Sequence, residues 1–188
     1  ALSTAMSVPE RYIAVGYENG DIVTFALDIQ SEDDSHPVNF TMNVEKVLKK
    51  HTGPVNSIVW NAYCLVSGSE DGLVIVWDPV IGVNLAVYQG DGIPVRQVAW
   101  LMGGRQVITG QDRKLSIYDP DYLTDTNDDH GQMNSIIKKV APIDRHVAMG
   151  DVNGKVLLWD IESLSCKTLL NIYSHNSEIV DLAWSIDN

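Results

Sequence analysis

Cysteine, phenylalanine and basic side chains are scarce in this chain, and long apolar runs are missing. Two cysteines in 188 residues, Cys64 and Cys166, cannot build a disulfide framework and show no metal-ligand spacing. They are expected as buried free thiols in a reducing compartment. Lys and Arg number 13 against 25 Asp and Glu, so the net charge is −12. A general phosphate-backbone binder needs clustered cations. The only short cluster is Lys46, Lys49 and Lys50, which reads as a solvated strand, so no nucleic-acid partner is expected. No apolar run reaches the roughly 20 residues that cross a bilayer as a helix, and no secretory leader pattern is seen. The expectation is an intracellular protein, cytoplasmic or nuclear, without membrane insertion. Helical periodicity is almost absent too: Val44, Val47 and Leu48 could share one helical face, but nothing else repeats at that spacing.

Site chemistry is equally thin. The five histidines are scattered, with no pair at ligand spacing. Asp125, Asn127 and Asp129 alternate as at the opening of a calcium loop. His130 then stands where such a loop needs glycine, and Ile136 where it needs a bidentate glutamate. No phosphate-binding loop or nucleophile elbow occurs. No metal, no cofactor and no enzymatic activity are therefore expected. Ser31, followed by Glu32, Asp33 and Asp34 in the polar stretch 29–41, is a phosphorylation candidate, and Asn39-Phe-Thr41 is a glycosylation sequon. Both read more simply as parts of an exposed loop.

What is present is repetition. His51-Thr-Gly-Pro-Val-Asn-Ser-Ile-Val-Trp60 is matched by Asp91-Gly-Ile-Pro-Val-Arg-Gln-Val-Ala-Trp100 and by His175-Asn-Ser-Glu-Ile-Val-Asp-Leu-Ala-Trp184. The first two start 40 residues apart, the first and third 124 apart, close to three periods. Between the phrases lie apolar run, turn and apolar run: Leu65 to Asp78, Val107 to Asp119, Val147 to Asp160, and the earlier relative Ile13 to Phe25. Asn19-Gly20, Asp71-Gly72 and Asn153-Gly154 signal hairpins with tight two-residue turns; Asp112-Arg113 is a weaker version. The apolar runs are nearly continuous, as in strands buried on both faces. Trp60, Trp100 and Trp184 recur at one position and Trp77 and Trp159 at another, which points to packing rather than a ligand cage.

From about residue 11 to 184 the chain resembles the WD-repeat (β-transducin repeat) family. The carriers are the His51 phrase, Ser67-Gly-Ser-Glu-Asp71-Gly and the closing Trp77-Asp78 and Trp159-Asp160 pairs. The resemblance implies an all-β propeller of four-stranded antiparallel blades. About four to four and a half blades fit: units at roughly 8–50, 51–90, 91–130 and 131–174, then the inner strand of a next unit over 175–188. Ala1 to Ser7 reads as a further inner strand. Such propellers commonly have about seven units, so the chain is expected to be part of a larger ring. Further blades would lie beyond both ends. The register also turns 44–50 into an outer strand. Departures are Asp91 for histidine, Tyr118 and Phe25 for tryptophan, Asn19 and Asn153 for aspartate, and a third hairpin one residue shorter. Residues 120–135 interrupt an outer strand.

His51, Ser67 and Asp71 are the residue types of a hydrolase triad. The resemblance instead implies a structural relay of His51, Ser67, Asp71 and Trp77, since buried polar groups must be paired. The units with Asp91, Asn153 and Phe25 should have incomplete relays. The resemblance also implies a non-enzymatic scaffold that binds other proteins of a larger complex. The alternatives are a regulatory or sensor propeller fused to an enzyme or ATPase, or a propeller with a site in its central channel. By register, the candidate partner-binding face comprises Glu18, Glu70, Gln111 and Val152 beside the turns and Asn56, Arg96 and Val180 on inner strands. Arg96 stands out as a cation on an acidic chain. The loops 29–41 and 120–135 are further candidates for partner contact or regulation.

Overall fold

The computed structural model describes residues 1–7, 12–30, 39–90, 92–101, 104–119, 131–161, 168–174 and 176–185. All regular structure among them is β, in four antiparallel sheets of four strands each. The first holds β1 (Ser3–Met6), β2 (Tyr12–Gly16), β3 (Ile22–Gln30) and β4 (Asn39–Leu48) in that order. The second holds β5 (Val55–Trp60), β6 (Leu65–Ser69), β7 (Leu73–Asp78) and β8 (Val83–Gln89). The third runs β9 (Val95–Leu101), β10 (Gln106–Gln111), β11 (Lys114–Tyr118) and β12 (Gly131–Gln132). The fourth runs β13 (Ile137–Ile143), β14 (His146–Asp151), β15 (Lys155–Asp160) and β16 (Thr168–Ser174). Each sheet is a meander, with sequence neighbours paired, which makes it a propeller blade. Blades 1 to 4 name the sheets in this order.

The turns are wider than the Asp-Gly signal predicts. In blade 2 Ser69 to Gly72 form a four-residue turn closed by Gly72 N–H to Ser69 C=O at 3.1 Å. Only Gly72 takes positive φ (81°), which costs a glycine nothing sterically. Asp71 stays in ordinary backbone space and uses its carboxylate to hold the Leu73 N–H at 2.9 Å. The weaker signal, Asp112-Arg113, does give a two-residue turn, where Gln111 and Lys114 are ladder partners and Asp112 takes φ 50°; Asp144-Arg145, between the partners Ile143 and His146, is another, with Asp144 at φ 48°. The deleted residue of the third hairpin explains the difference.

Blades stack through three apolar clusters. Ala14, Ile22 and Leu48 of blade 1 meet Val55, Ile58, Leu65, Ile75 and Trp77 of blade 2. Comparable clusters join blades 2 and 3 and blades 3 and 4. Among the described residues no cluster joins blade 4 to blade 1, so the blades form an open arc. One joint recurs four times. The glycine near the end of each second strand receives an apolar residue that opens the next inner segment. A Cβ at Gly16 would sit 2.8 Å from Val55 Cγ1, and one at Gly68 2.8 Å from Val98 Cγ1. At Gly110 it would lie 3.0 Å from Ile137 Cγ2, and at Gly150 2.7 Å from Ile179 Cβ. Backbone and side chain therefore interlock at a spacing only glycine permits.

Several boundaries differ from the sequence reading. β1 lies ahead of the 8–50 unit, on the segment Ala1 to Ser7. β3 and β4 reach into the expected 29–41 loop, because the ladder continues through Leu27↔Met42 to Gln30↔Asn39. That leaves 31–38, with Ser31, outside the described residues. Residues 44–48 lie within β4, in agreement with the outer strand that the repeat register predicts. The interrupted outer strand of blade 3 shrinks to the two residues of β12, while Met133 and Ser135 beyond it are buried. Residues 179–184 do not form a strand among the described residues, since no ladder partner adjoins them. They nevertheless dock as inner strands do. Trp184 Nε1 donates to Ala141 C=O at 2.7 Å, as Trp60 Nε1 donates to Ala5 C=O at 3.2 Å three blade joints earlier.

Candidate functional site

The most connected polar arrangement is in blade 2. Trp77 Nε1 donates to Ser67 Oγ at 2.8 Å, and Ser67 Oγ lies 2.8 Å from His51 Nε2. His51 Nδ1 lies 3.0 Å from Asp71 Oδ2. Asp71 also accepts the Thr52 and Leu73 N–H groups at 2.8 and 2.9 Å. The elements positioning these groups are the loop before β5, the middle of β6, the β6–β7 turn and the end of β7. The His51 side chain is 0% exposed and that of Asp71 6% exposed.

Electrostatics fixes the proton order. Burial is the strongest influence on His51 and holds its pKa below the ordinary histidine value, although Asp71 pulls the other way. For Asp71 burial alone would raise the pKa. The Leu73 and Thr52 N–H groups and then His51 outweigh it and hold the carboxyl below its usual range. A neutral imidazole beside a carboxylate therefore carries its proton on Nδ1 and donates to Asp71. Its Nε2 accepts the Ser67 hydroxyl proton, and Ser67 Oγ accepts from Trp77. The connectivity is that of a triad, but Ser67 is 0% exposed and its oxygen also accepts the Trp77 N–H, so no substrate atom can meet the hydroxyl and the four groups form a buried clasp.

The other blades depart as their residues dictate. Ladder pairing places Val15 and Phe25 of blade 1 where blade 2 has Ser67 and Trp77, an apolar pair without polar groups. Blade 4 has Met149 at the serine position, and the Trp159 Nε1 has no hydrogen-bond partner among the described residues. In blade 3 Thr109 Oγ1 is buried and unpaired among the described residues. Asp91 and His175 lie outside the described residues. A second clasp, which sequence reasoning missed, ties blade 4: buried Asp151 accepts from the Ser135 hydroxyl and from the Asn153 and Lys155 N–H groups at 2.9 and 2.8 Å. It stands two residues before Asn153, and its acidity at a strand end was the available signal.

The candidate partner-binding residues scatter in burial. Glu18 and Val180 are exposed, Val180 at 75%, and Val152 is half-buried. Gln111 is buried on β10, because the shorter hairpin draws it into the ladder opposite Lys114. It is not available to a partner. Glu70, Asn56 and Arg96 come together. Asn56 Nδ2 donates to Glu70 Oε1 and to Val95 C=O, both at 3.0 Å, and Arg96 Nη1 lies 3.3 Å from Glu70 Oε1. The cluster spans the joint of blades 2 and 3 on the hairpin side. Beneath it, Ser57 Oγ accepts the Val98 N–H at 3.1 Å and Gln97 Nε2 at 3.0 Å.

Among the described residues no group of three His, Cys, Asp or Glu side chains could hold a metal. The Asp125, Asn127, Asp129 and His130 positions lie outside them, as does Cys166. Cys64 is a half-buried free thiol whose pKa burial, and then the Asp78 charge, pushes up, so it is a poor nucleophile. No helix among the described residues is long and apolar enough to cross a membrane.

Residues 42–78 match the family model of the WD domain, G-beta repeat. That segment covers the end of β4 and the whole His51–Trp77 clasp. Residues 42–78 therefore hold a WD repeat, within a chain that has the β-propeller fold. WD-repeat domains are typically non-enzymatic modules of protein interaction. No curated protein matches the chain. Among solved structures it is similar to the computationally designed Ika8 protein, with a TM-score of 0.68 and 19% identity, over 98% of this chain and 65% of that one. It is also similar to the computationally designed Ika4 protein, with a TM-score of 0.63 and 22% identity, over 75% of this chain and 84% of that one. At these identities the likeness concerns the fold alone.

Proposed function

We propose that the chain is a non-enzymatic scaffold whose hairpin-side face binds another protein of a larger, intracellular complex. The observation that carries this reading is the Asn56–Glu70–Arg96 cluster. It is anchored to rigid strands on two blades, yet the Arg96 and Glu70 side chains remain 45% and 34% exposed. The ion pair itself adds little stability, on the order of 0–1 kcal/mol at this exposure, so both groups can be shared with a partner. The test is a charge swap in the full-length protein. Arg96→Glu with Glu70→Lys restores the local pair while inverting what a partner meets. Loss of partner capture with an unchanged melting temperature is the expected result. Retained capture would discard this patch.

The same reading includes further propeller blades against blade 1. Met6, Phe40, Met42, Val44 and Val47 are 57, 71, 53, 63 and 47% exposed. Ladder pairing puts Val44 and Val47 beside Phe25 and Val23, on the sheet face turned away from blade 2. In blade 2 the equivalent face, with Ile75 and Trp77, is the one covered by its neighbour. An apolar face of this size marks an interface. Val44→Glu in the full-length protein should destabilise it well beyond the roughly 0.5 kcal/mol of a surface change. A neutral outcome in chemical denaturation would show the face open to water.

A further inference from the structure

The outer strand of blade 2 carries an apolar edge that the stacking of blades leaves open. Val80, Ile81, Val83, Leu85 and Val87 are 62, 67, 47, 54 and 37% exposed. On blade 1 the exposed aliphatic residues lie on a face with no neighbouring blade among the described residues. Blade 2 differs, because blade 1 packs on one of its faces and blade 3 on the other. Its five side chains stay open with both neighbours in place, so further blades of the ring would not cover them.

β8 is also the edge of its sheet. It pairs with β7 on one side, and no described strand lies on the other. An open edge presents a row of backbone N–H and C=O groups, which folded proteins blunt with charge, proline or brevity. β8 is seven residues long, and residues 79–90 carry no charged side chain. Blade 1 is the control. Its outer strand bulges at the same place in the ladder, and the extra residue there is Glu45, followed by Lys46. In blade 2 the extra residue is Leu85. A bulge re-aims its extra side chain, and here it sets an aliphatic one in water. The ladder then runs without a shift over 86–89. The turn ahead of β8 is rigid. Asp78 Oδ1 accepts the Val80 and Ile81 N–H groups, both at 2.9 Å, and the Gly82 N–H closes on Asp78 C=O at 2.8 Å. It holds two β-branched residues at a tip where polar residues are the rule. Their backbone is ordered in advance, so docking them costs little conformational entropy.

We propose that the outer edge of β8 receives an extended, basic segment of a partner protein as a fifth strand of blade 2. Backbone hydrogen bonds fix its register, and its alternate apolar side chains pack on Val83, Leu85 and the Val80–Ile81 tip. Charge selects the occupant. The net charge of −12 repels a second copy of this chain and favours a strand flanked by cations. Pairing of two seven-residue strands also buries less than the roughly 1,200 Å² that stable association of two folded subunits needs. The edge is separate from the Glu70–Arg96 cluster on the hairpin side, so either can fail without the other.

The probe is a synthetic peptide, acetyl-Lys-Val-Thr-Val-Thr-Val-Lys-amide, titrated to millimolar concentration into the full-length protein while the backbone amide resonances of β8 are followed. Two further peptides of the same sequence carry N-methyl groups on one or the other alternate set of residues, so each can bond along one edge only. Saturable shifts and slowed amide exchange in β8 are expected with the parent peptide and with one methylated peptide, and none with the other. Val83→Ser with Leu85→Ser removes apolar contact without adding charge. It should weaken binding at least about tenfold and leave the melting temperature in place, because both side chains are exposed. No shift with the parent peptide, equal binding of the two methylated peptides, or full affinity of the double variant would each overturn the proposal. Protection of the same amides that grows with protein concentration alone would overturn it too, since a second copy would then be the occupant.

Discussion

Replacing Asp71 by alanine removes one carboxylate from three donors at once. The Thr52 N–H faces solvent and finds water, so its loss is small. The Leu73 N–H, capped at 2.9 Å, loses an ordinary hydrogen bond, about 0.5–1.5 kcal/mol. The His51 Nδ1–H is different: its side chain is 0% exposed, and among the described residues Asp71 alone accepts from it. An orphaned buried donor costs about 1–3 kcal/mol. The sum is about 1.5–4.5 kcal/mol, large against the stability of a typical domain. For a chain of this size that corresponds to a fall of about 3–18 °C in Tm, at roughly 2–4 °C per kcal/mol. Tryptophan fluorescence follows it directly, because Trp77 ends the relay. A double-mutant cycle with His51→Ala should then show coupling on the order of 1–3 kcal/mol, since the second truncation removes the orphan that the first creates. A fall under about 0.5 kcal/mol for Asp71→Ala, the level of an ordinary surface change, would refute the clasp as a stabilising device.

The same groups set a pH dependence. His51 has a folded pKa below its unfolded value of about 6.5, so the unfolded chain binds more protons in that window. Stability should therefore be full above about pH 6.5 and fall as pH drops towards the folded pKa. Asp71 acts in the same direction below its unfolded value near 3.8. Denaturant midpoints measured from pH 7 to 5 should decline less steeply in His51→Gln than in the wild type. A separate prediction concerns the blade joints. Gly68→Ala drives a Cβ to within 2.8 Å of Val98 Cγ1, against a neighbour fixed in the next blade. It should cost about 1–3 kcal/mol by overpacking, read as a lower midpoint in urea, whereas Gly92→Ala meets nothing within 4 Å and should owe any loss to its positive φ alone.

Period and turn residues were enough to read the strands of blades 2, 3 and 4, because each blade repeats one apolar, turn, apolar unit and the copies reinforce one another. The clasp of His51, Ser67, Asp71 and Trp77 was readable for the same reason. It sits in the one unit whose residues all agree. What sequence could not supply was depth. Gln111 looks like Glu70 when counted back from the turn. A single deletion in the hairpin shifts it into the ladder, and only the pairing with Lys114 reveals that. The Ser135–Asp151 clasp was hidden because Ser135 belongs to no repeated phrase. The 29–41 segment looked like a loop by composition. Strand pairing from Leu27↔Met42 outward overrides that signal at both ends.

A repeat protein separates folding from recognition in a way a single-copy fold does not. Where four units share a solution, as with the glycine that seats Val55, Val95, Ile137 or Ile179, the common residue answers to packing. A position at which one unit alone turns polar has no such explanation, since its neighbours show the apolar residue to be sufficient. By this criterion Phe25 and Val15 are conservative departures: they replace a polar clasp with an apolar pair and leave nothing unsatisfied. Thr24 and Glu45 are not. One buries a hydroxyl that has no partner among the described residues, the other sets an exposed carboxylate at a bulge. Of the two, the buried Thr24 costs stability where the other blades keep an apolar residue, whereas Glu45 stays solvated and costs little.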